Sequence, residues 1–570
     1  MLDVRRRLAA LPAVLALAGA LLLLHGEASA QETAPEAGGD GTLTIGVSQY
    51  PPTLHPSIEP SVAASYALAM ARRPITTYDA EWELICMLCT ELPTLDNGGA
   101  VREVTPEGED GIAVTYTLQP DATWGDGTPL TTADIEFTWE VGRHDLSPFA
   151  NQELYRSLYR LEIHDEKTFT AHFDKVDFQY NAVNDLRPLP AHLERPIFEA
   201  DPAEYRNRTL YNAEPTNPGL YFGPYRITEA ETGAFMVLEP NGTWYGTPPR
   251  FDRIVLRTVE NTAALEANLL SGSVDMIAGE LGLTLDQALA FEERHGDDFR
   301  VLYQPGLIYE HIDLNLDNPA LADRRVRQGL LHALDRRTLV DQLFAGRQPV
   351  AHSSVSELDR VFDADIRRYG HDPERAVALF EEAGFDEVVD GVRVNDDGTR
   401  LAFTLMTTAG NRTRELVQQV LQSQWSEVGV RITIDNEDAR TFFGETVSRR
   451  AFPAMAMFAW ISSPENVPRT TLHSDHIPTA ENNWAGQNYP GFDNPAMDAM
   501  LEATEVELDA GRRAVLWRWI QAIYAEELPA LPLYFRANPY ILPFWLEGVT
   551  PTGHQYGSTM WVEDWARATE

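Results

Sequence analysis

At 570 residues the chain is too long for one ordinary core, so two or three lobes are expected, each burying its own apolar centre. A composition of 44% hydrophobic and 23% charged residues is that of a globular protein and excludes a largely disordered chain. The net charge of −41, from 45 Lys+Arg against 86 Asp+Glu, repels nucleic acid and anionic lipid, and both drop out as partners.

In chain order, Arg5, Arg6 and Arg7 precede an apolar run from Leu8 to Leu24 that closes on Ala28-Ser29-Ala30. This is the pattern of a secretory signal peptide over residues 1–30, with cleavage after Ala30. An uncleaved anchor is the rival, since the run is nearly long enough to span a bilayer. No cysteine lies near the cleavage site to carry a lipid, and no later run approaches a span, so the mature chain is expected outside the cytoplasm and free of the membrane.

Residues 31–40 read as a linker, and "TLTIGVSQY" (42–50) as a strand. Turn residues follow, then helical spacing in "SVAASYALAMARRPITTYD". From 80 to 210 the short strands and many turn residues mark an inserted subdomain. Cys86 and Cys89 are the only cysteines. In an oxidising compartment they suit a local disulfide, with buried free thiols or a redox or metal role as alternatives. In "TWGDGTPLTTADIEFTWE" (123–140) Thr131 and Asp134 form a capping box, with Leu130 and Ile135 as its hydrophobic staple. That stretch is architectural, and Asp126 and Asp134 need no catalytic role.

"GPYRITE" and "RIVLRTVE" have strand character, and "NTAALEANLLSGSVDMIAG" is a helix stopped by Gly272 followed by a short strand. Asp323 caps a helix that buries Val326, Leu330, Ala333 and Leu334, and a second helix runs from Asp335 to Gly346. Asp372 and Pro373 open another, closed by Gly384. Strands "LAFTLMTT" and "VRITIDN" flank a helix over 412–428. Strand, helix and strand in that order predict a mixed α/β lobe.

Two motifs resemble the family 5 extracellular solute-binding proteins, the oligopeptide, dipeptide and nickel binding subunits of ABC importers. One is "YTLQPDATWGDGTPLTTADIEFTWE"; the other is "NLDNPALADRRVRQGLLHALDRRTLVDQLFAGR". "GPYRI", "DPERAVALFEEAGF" and "NYPGFDNPAMDAML" follow the family's order. The resemblance implies an α/β clamshell of two lobes with mixed sheets. The first lobe would comprise 41–79, the subdomain 80–210, 211–300 and 491–570, and the second 301–490. It also implies a periplasmic monomer that closes on a peptide or peptide-like solute and hands it to membrane permease subunits, with no cofactor and no catalysis.

In the peptide-binding members an aspartate following a Trp-x-x unit pairs with the ligand's α-amine. Here Trp460 matches, but Ser463 stands at the aspartate's place and cannot neutralise an ammonium. Glu465 is the nearest carboxylate. Tyr50, Trp460, Ser462, Trp484, Asn488 and Tyr489 complete the candidate pocket residues, the aromatics offering flat walls. The lost aspartate leaves a non-peptide cargo open: an oligosaccharide, an opine-like compound or a metal chelate. No nucleophile elbow, His-Glu-x-x-His or phosphate loop is present to support a secreted hydrolase. His473, Asp475 and His476 form a cluster better read as a solvated loop than as a metal site, so no bound metal is expected. A sensory binding protein reporting to a receptor is the remaining alternative.

Overall fold

The computed structural model describes residues 41–58, 61–259, 261–482 and 484–568. The expected signal peptide and linker lie outside the described residues.

The apolar strands assemble mainly into one sheet of ten strands. From edge to edge these are Arg431–Ile434, Ala402–Met406, Met455–Ile461, Phe299–Leu314, Ala530–Pro543, Met276–Ile277, Thr42–Val47, Arg253–Thr258, Phe235–Pro240 and Tyr225–Glu231. Strand Thr42–Val47 pairs in parallel with Arg253–Thr258 and Met276–Ile277, and Ala402–Met406 in parallel with Arg431–Ile434. Helix Arg412–Glu427 connects Ala402–Met406 to its parallel neighbour Arg431–Ile434, the crossover that a parallel connection requires.

Two cores divide this sheet. Leu43, Ile45, Ile254, Tyr540 and Leu542 belong to the first; Ile312, Leu405, Val417, Trp425, Leu531 and Tyr534 belong to the second. The strands Phe299–Leu314 and Ala530–Pro543 run through both. Their antiparallel register is continuous from Phe299↔Pro543 to Pro305↔Ala537, breaks, and resumes at Tyr309↔Phe535. The break falls where the core changes, so these two strands join the lobes and the irregularity lies at their crossing. There Gly306 meets the backbone of Gly553 so closely that a Cβ would stand 2.1 Å from the Gly553 carbonyl oxygen.

The inserted segment builds a four-stranded sheet from Ala100–Val104, Asp110–Thr117, Thr168–Phe173 and Leu158–Ile163. Its Val114, Tyr116 and Phe169 share the first core, so it is a layer of that lobe. Cys86 and Cys89 are bonded to each other in this region. The Thr131–Asp134 capping box forms as the spacing predicts, with Leu130 and Ile135 fully buried. Asp134 does more than the motif requires, because its carboxylate also accepts from Trp124 Nε1 at 3.3 Å and Ala191 N at 2.8 Å.

The expected return to the first lobe at 491 does not occur there. Helices Pro495–Val506 and Ala510–Glu527 bury Met497, Leu501, Trp517 and Ile520 against Val355 and Leu472. Arg327 Nε and Gln328 Nε2 then donate to the carbonyls of Glu527 and Glu526, tying the second helix to Arg324–His332. The chain returns to the first core only in the second half of Ala530–Pro543. Amphipathic helices carry no local mark of which core receives them, and here the second lobe does.

Candidate functional site

Strand Met455–Ile461 is a buried apolar run until its end, where Ile461 emerges 54% exposed. It pairs with the crossing strand Phe299–Leu314 in the register Tyr309↔Trp460 and Ile308↔Ile461. The loop that follows faces the other lobe, and three cavities meet around it. A cavity of about 120 Å³ lies beneath Trp460 and Ser462, lined by Tyr309, His311, Asp313 and Tyr524. A second, about 290 Å³, sets Ile461 opposite Leu68, Arg72, Arg187 and Tyr556 of the first lobe. A third, about 400 Å³, sets Ser463 and Asn466 opposite Tyr78, Asn184 and Tyr556. Ile461 lines the first and second, Asn466 the first and third, and Tyr556 the second and third. Together they form one cleft between the lobes.

The first-lobe wall is held rigid. Asn184 donates to the Tyr556 hydroxyl at 2.8 Å and accepts from Thr76 Oγ1 at 2.6 Å. The Tyr556 ring stacks on Tyr78, and burial pushes its hydroxyl up to about 12. His554 Nε2 lies 2.8 Å from the Asp79 carbonyl, and its Nδ1 accepts from Tyr556 N–H at 3.2 Å. Burial brings this imidazole down to about 4, so it stays neutral at pH 7. Arg72 is buried beside Trp124, Tyr211 and Phe222 and donates to Pro188 O and the Tyr211 hydroxyl, so it braces the wall.

The lobes also touch directly. Arg360 of the second lobe donates to Glu465 at 2.5 Å and reaches across to Glu83 at 2.5 Å. Phe178 N–H donates to the Glu505 carbonyl at 2.8 Å, and the Arg513 guanidinium lies 4.4 Å over the Phe178 ring.

The candidates read from the sequence separate under this geometry. Trp460 and Tyr489 come together, stacked at 5.9 Å, and Ser462 and Ser463 line the cleft. Glu465 is 7% exposed and committed, its carboxylate to Arg360 and its N–H to Asp359 at 2.9 Å; it is not the free carboxylate that its nearness in sequence suggests. Asn488 is fully buried, donates to His473 O and Phe492 O and accepts from Phe492 N, so its amide serves the loop. Tyr50 packs at the rim of the first core, and Trp484 stands on a loop at positive φ; neither lines the three cavities. His473 approaches Glu502 at 3.3 Å, and among the described residues no cluster of His, Cys, Asp or Glu is arranged to hold a metal ion. Missed altogether were Tyr309, His311 and Asp313. Their alternation within "YEHIDL" was the available signal, since it puts two polar side chains on one face of an otherwise buried strand.

Two lobes on two crossing strands, with a cleft walled by both, define the fold of the two-lobed binding proteins. Residues 98–478 match the family described as bacterial extracellular solute-binding proteins, family 5 Middle, and the chain belongs to that family. It is 25% identical over 488 residues to the oligopeptide-binding protein AppA of Bacillus subtilis, covering 83% of this chain and 85% of that one. An oligopeptide-binding protein from Thermus thermophilus, solved in complex with a pentapeptide, is 29% identical with a TM-score of 0.71, over 93% of this chain and 96% of that one. NikA from Brucella suis, solved with Fe(III)-EDTA, is 18% identical with a TM-score of 0.74, over 92% and 100% respectively, and shares the fold. No helix among the described residues is long and apolar enough to cross a membrane.

Proposed function

We propose that the chain captures a peptide or peptide-like solute in this cleft outside the cytoplasm and delivers it to the permease of an ABC importer. The observation that carries the reading is the cleft itself. Ile461, Ser463 and Asn466 face Asn184 and Tyr556 across it, so a ligand between them contacts both lobes and favours their approach. The oligopeptide-binding names of the relatives support the cargo class. In this reading the first lobe comprises residues 41–305 and 537–568, the second the chain between them, and the N-terminal 30 residues are removed on export. The protein acts as a monomer without a cofactor and returns its cargo chemically unchanged.

Native mass spectrometry of the protein purified from its own host, followed by denaturation to release and identify what copurified, tests this. One equivalent of a peptide or peptide-like molecule is expected. A sugar or a metal chelate in its place would keep the transport role and overturn the cargo class.

A further inference from the structure

The cavity beneath Trp460 and Ser462 contains a group that the fold does not explain. Asp313 is 4% exposed, lines this cavity, and its Oδ2 has no hydrogen-bond partner. His311 Nε2 approaches the same carboxylate at 3.2 Å yet also makes no hydrogen bond, while Nδ1 lies 3.2 Å from the Tyr309 carbonyl. The neighbouring tyrosines offer no donor either. The Tyr309 and Tyr524 hydroxyls are 2.7 Å apart, and Tyr524 donates on to the Ala530 carbonyl. A buried carboxylate left in this state is costly unless something supplies a donor.

The walls indicate which donor. Tyr309 stacks on His311 at 4.8 Å, and Trp460, in the cavity wall, stacks on Tyr489 at 5.9 Å. Rings around a carboxylate favour a positive charge through their faces. Arg336, a buried guanidinium near these tyrosines, is turned to the carbonyls of Ala351, Pro532 and Tyr369. A volume of about 120 Å³ is enough for an ammonium or a guanidinium group.

We propose that this cavity is a cation subsite, in which Asp313 and the aromatic rings around it receive a positively charged group of the cargo. The subsite supplies from the crossing strand the neutralising charge that Ser463 lacks. It deepens the peptide reading and rests on it, and the cation is either the cargo's α-ammonium or a lysine or arginine side chain.

The test offers an elastase digest of casein in two equal pools, one untreated and one with all amines acetylated, and identifies the retained species by mass spectrometry. Wild type is expected to favour cationic members by about tenfold or more, and Asp313→Asn to lose that preference while still retaining peptides. Acetylated peptides kept only when they contain arginine assign the subsite to a side chain; loss of all acetylated species assigns it to an amine, the α-amine if untreated peptides lacking lysine are retained and the lysine side chain if only untreated lysine-containing peptides are. Trp460→Leu, in the cavity wall, is expected to weaken the preference in the same direction, which guards against a folding defect in the buried variant. Equal retention of both pools by wild type overturns the subsite, leaves peptide capture standing, and means that the cavity holds only water. If neither pool is retained, peptide capture falls, and a calorimetric titration with tetramethylammonium judges the subsite alone. Saturable binding lost in Asp313→Asn keeps it, and no saturable binding removes it.

Discussion

Asp134 shows how one short side chain holds several elements. It closes the capping box through Thr131 N, and it also accepts from Trp124 Nε1 and Ala191 N. Asp134→Ala strands all three donors in a buried place and is expected to destabilise the protein by about 3 kcal/mol, read by denaturant unfolding. Asp359 has the opposite relation to its surroundings. Burial pushes its carboxyl up to about 6 from 3.8, against the donors Glu465 N and Val361 N. The folded state therefore holds this proton more tightly than the unfolded chain, a stabilising contribution present in full below pH 4 and lost as the pH rises through 6. Asp359→Asn has no such proton to lose, so it should gain on wild type by about 3 kcal/mol between pH 4 and pH 7. A difference between the two proteins that is flat with pH would remove this account of Asp359.

At the scale of elements, the crossing strands are locked to the second lobe by Glu310. It is fully buried, and Arg414 of helix Arg412–Glu427 and Arg536 of strand Ala530–Pro543 both donate to it, the former at 2.6 Å. Glu310→Gln leaves two guanidinium groups uncompensated, and a loss of about 3–5 kcal/mol is expected in chemical denaturation. A loss under about 1 kcal/mol would mean that the strands are held by their ladder alone. Local elements of this kind were legible where the chain announces its own ends. Asp323, Asp372 and Thr131 cap helices at the expected places because a cap needs only its neighbours. The 16-residue strand Phe299–Leu314 and its partner were not legible as a bridge, since their length and the break between Pro305 and Tyr309 depend on two cores formed by distant segments. The candidate site divides the same way. Trp460 and Ser463 were made candidates by a local motif, whereas Asp313 reaches the cavity through pairing with residues more than 140 positions away. Glu465 was misread because Arg360, which neutralises it, is 105 residues distant in sequence.

For the whole molecule, the lobes meet at an open cleft, at polar contacts that include Arg360–Glu83, Arg347–Glu292 at 3.7 Å and Phe178 N–H to the Glu505 carbonyl, and where Leu285 packs into the second core. Arg360 bridges the buried Glu465 of its own lobe to Glu83 of the other, and the Glu83 pair is exposed enough for solvent and salt to weaken it. In the proposed capture, such contacts steer the lobes together without holding them shut, and the ligand's own contacts would decide the balance between open and closed forms. The crossing strands, broken in register between the cores, are where such a closure would bend. The central claim, that the cargo is captured between the two lobes, is tested most directly by small-angle X-ray scattering of the protein stripped of cargo and then supplied with it again. The account predicts a larger radius of gyration when stripped, a return to the compact value at one equivalent of cargo, and cargo recovered unchanged. An unchanged radius of gyration, or cargo recovered as cleavage products, would contradict it.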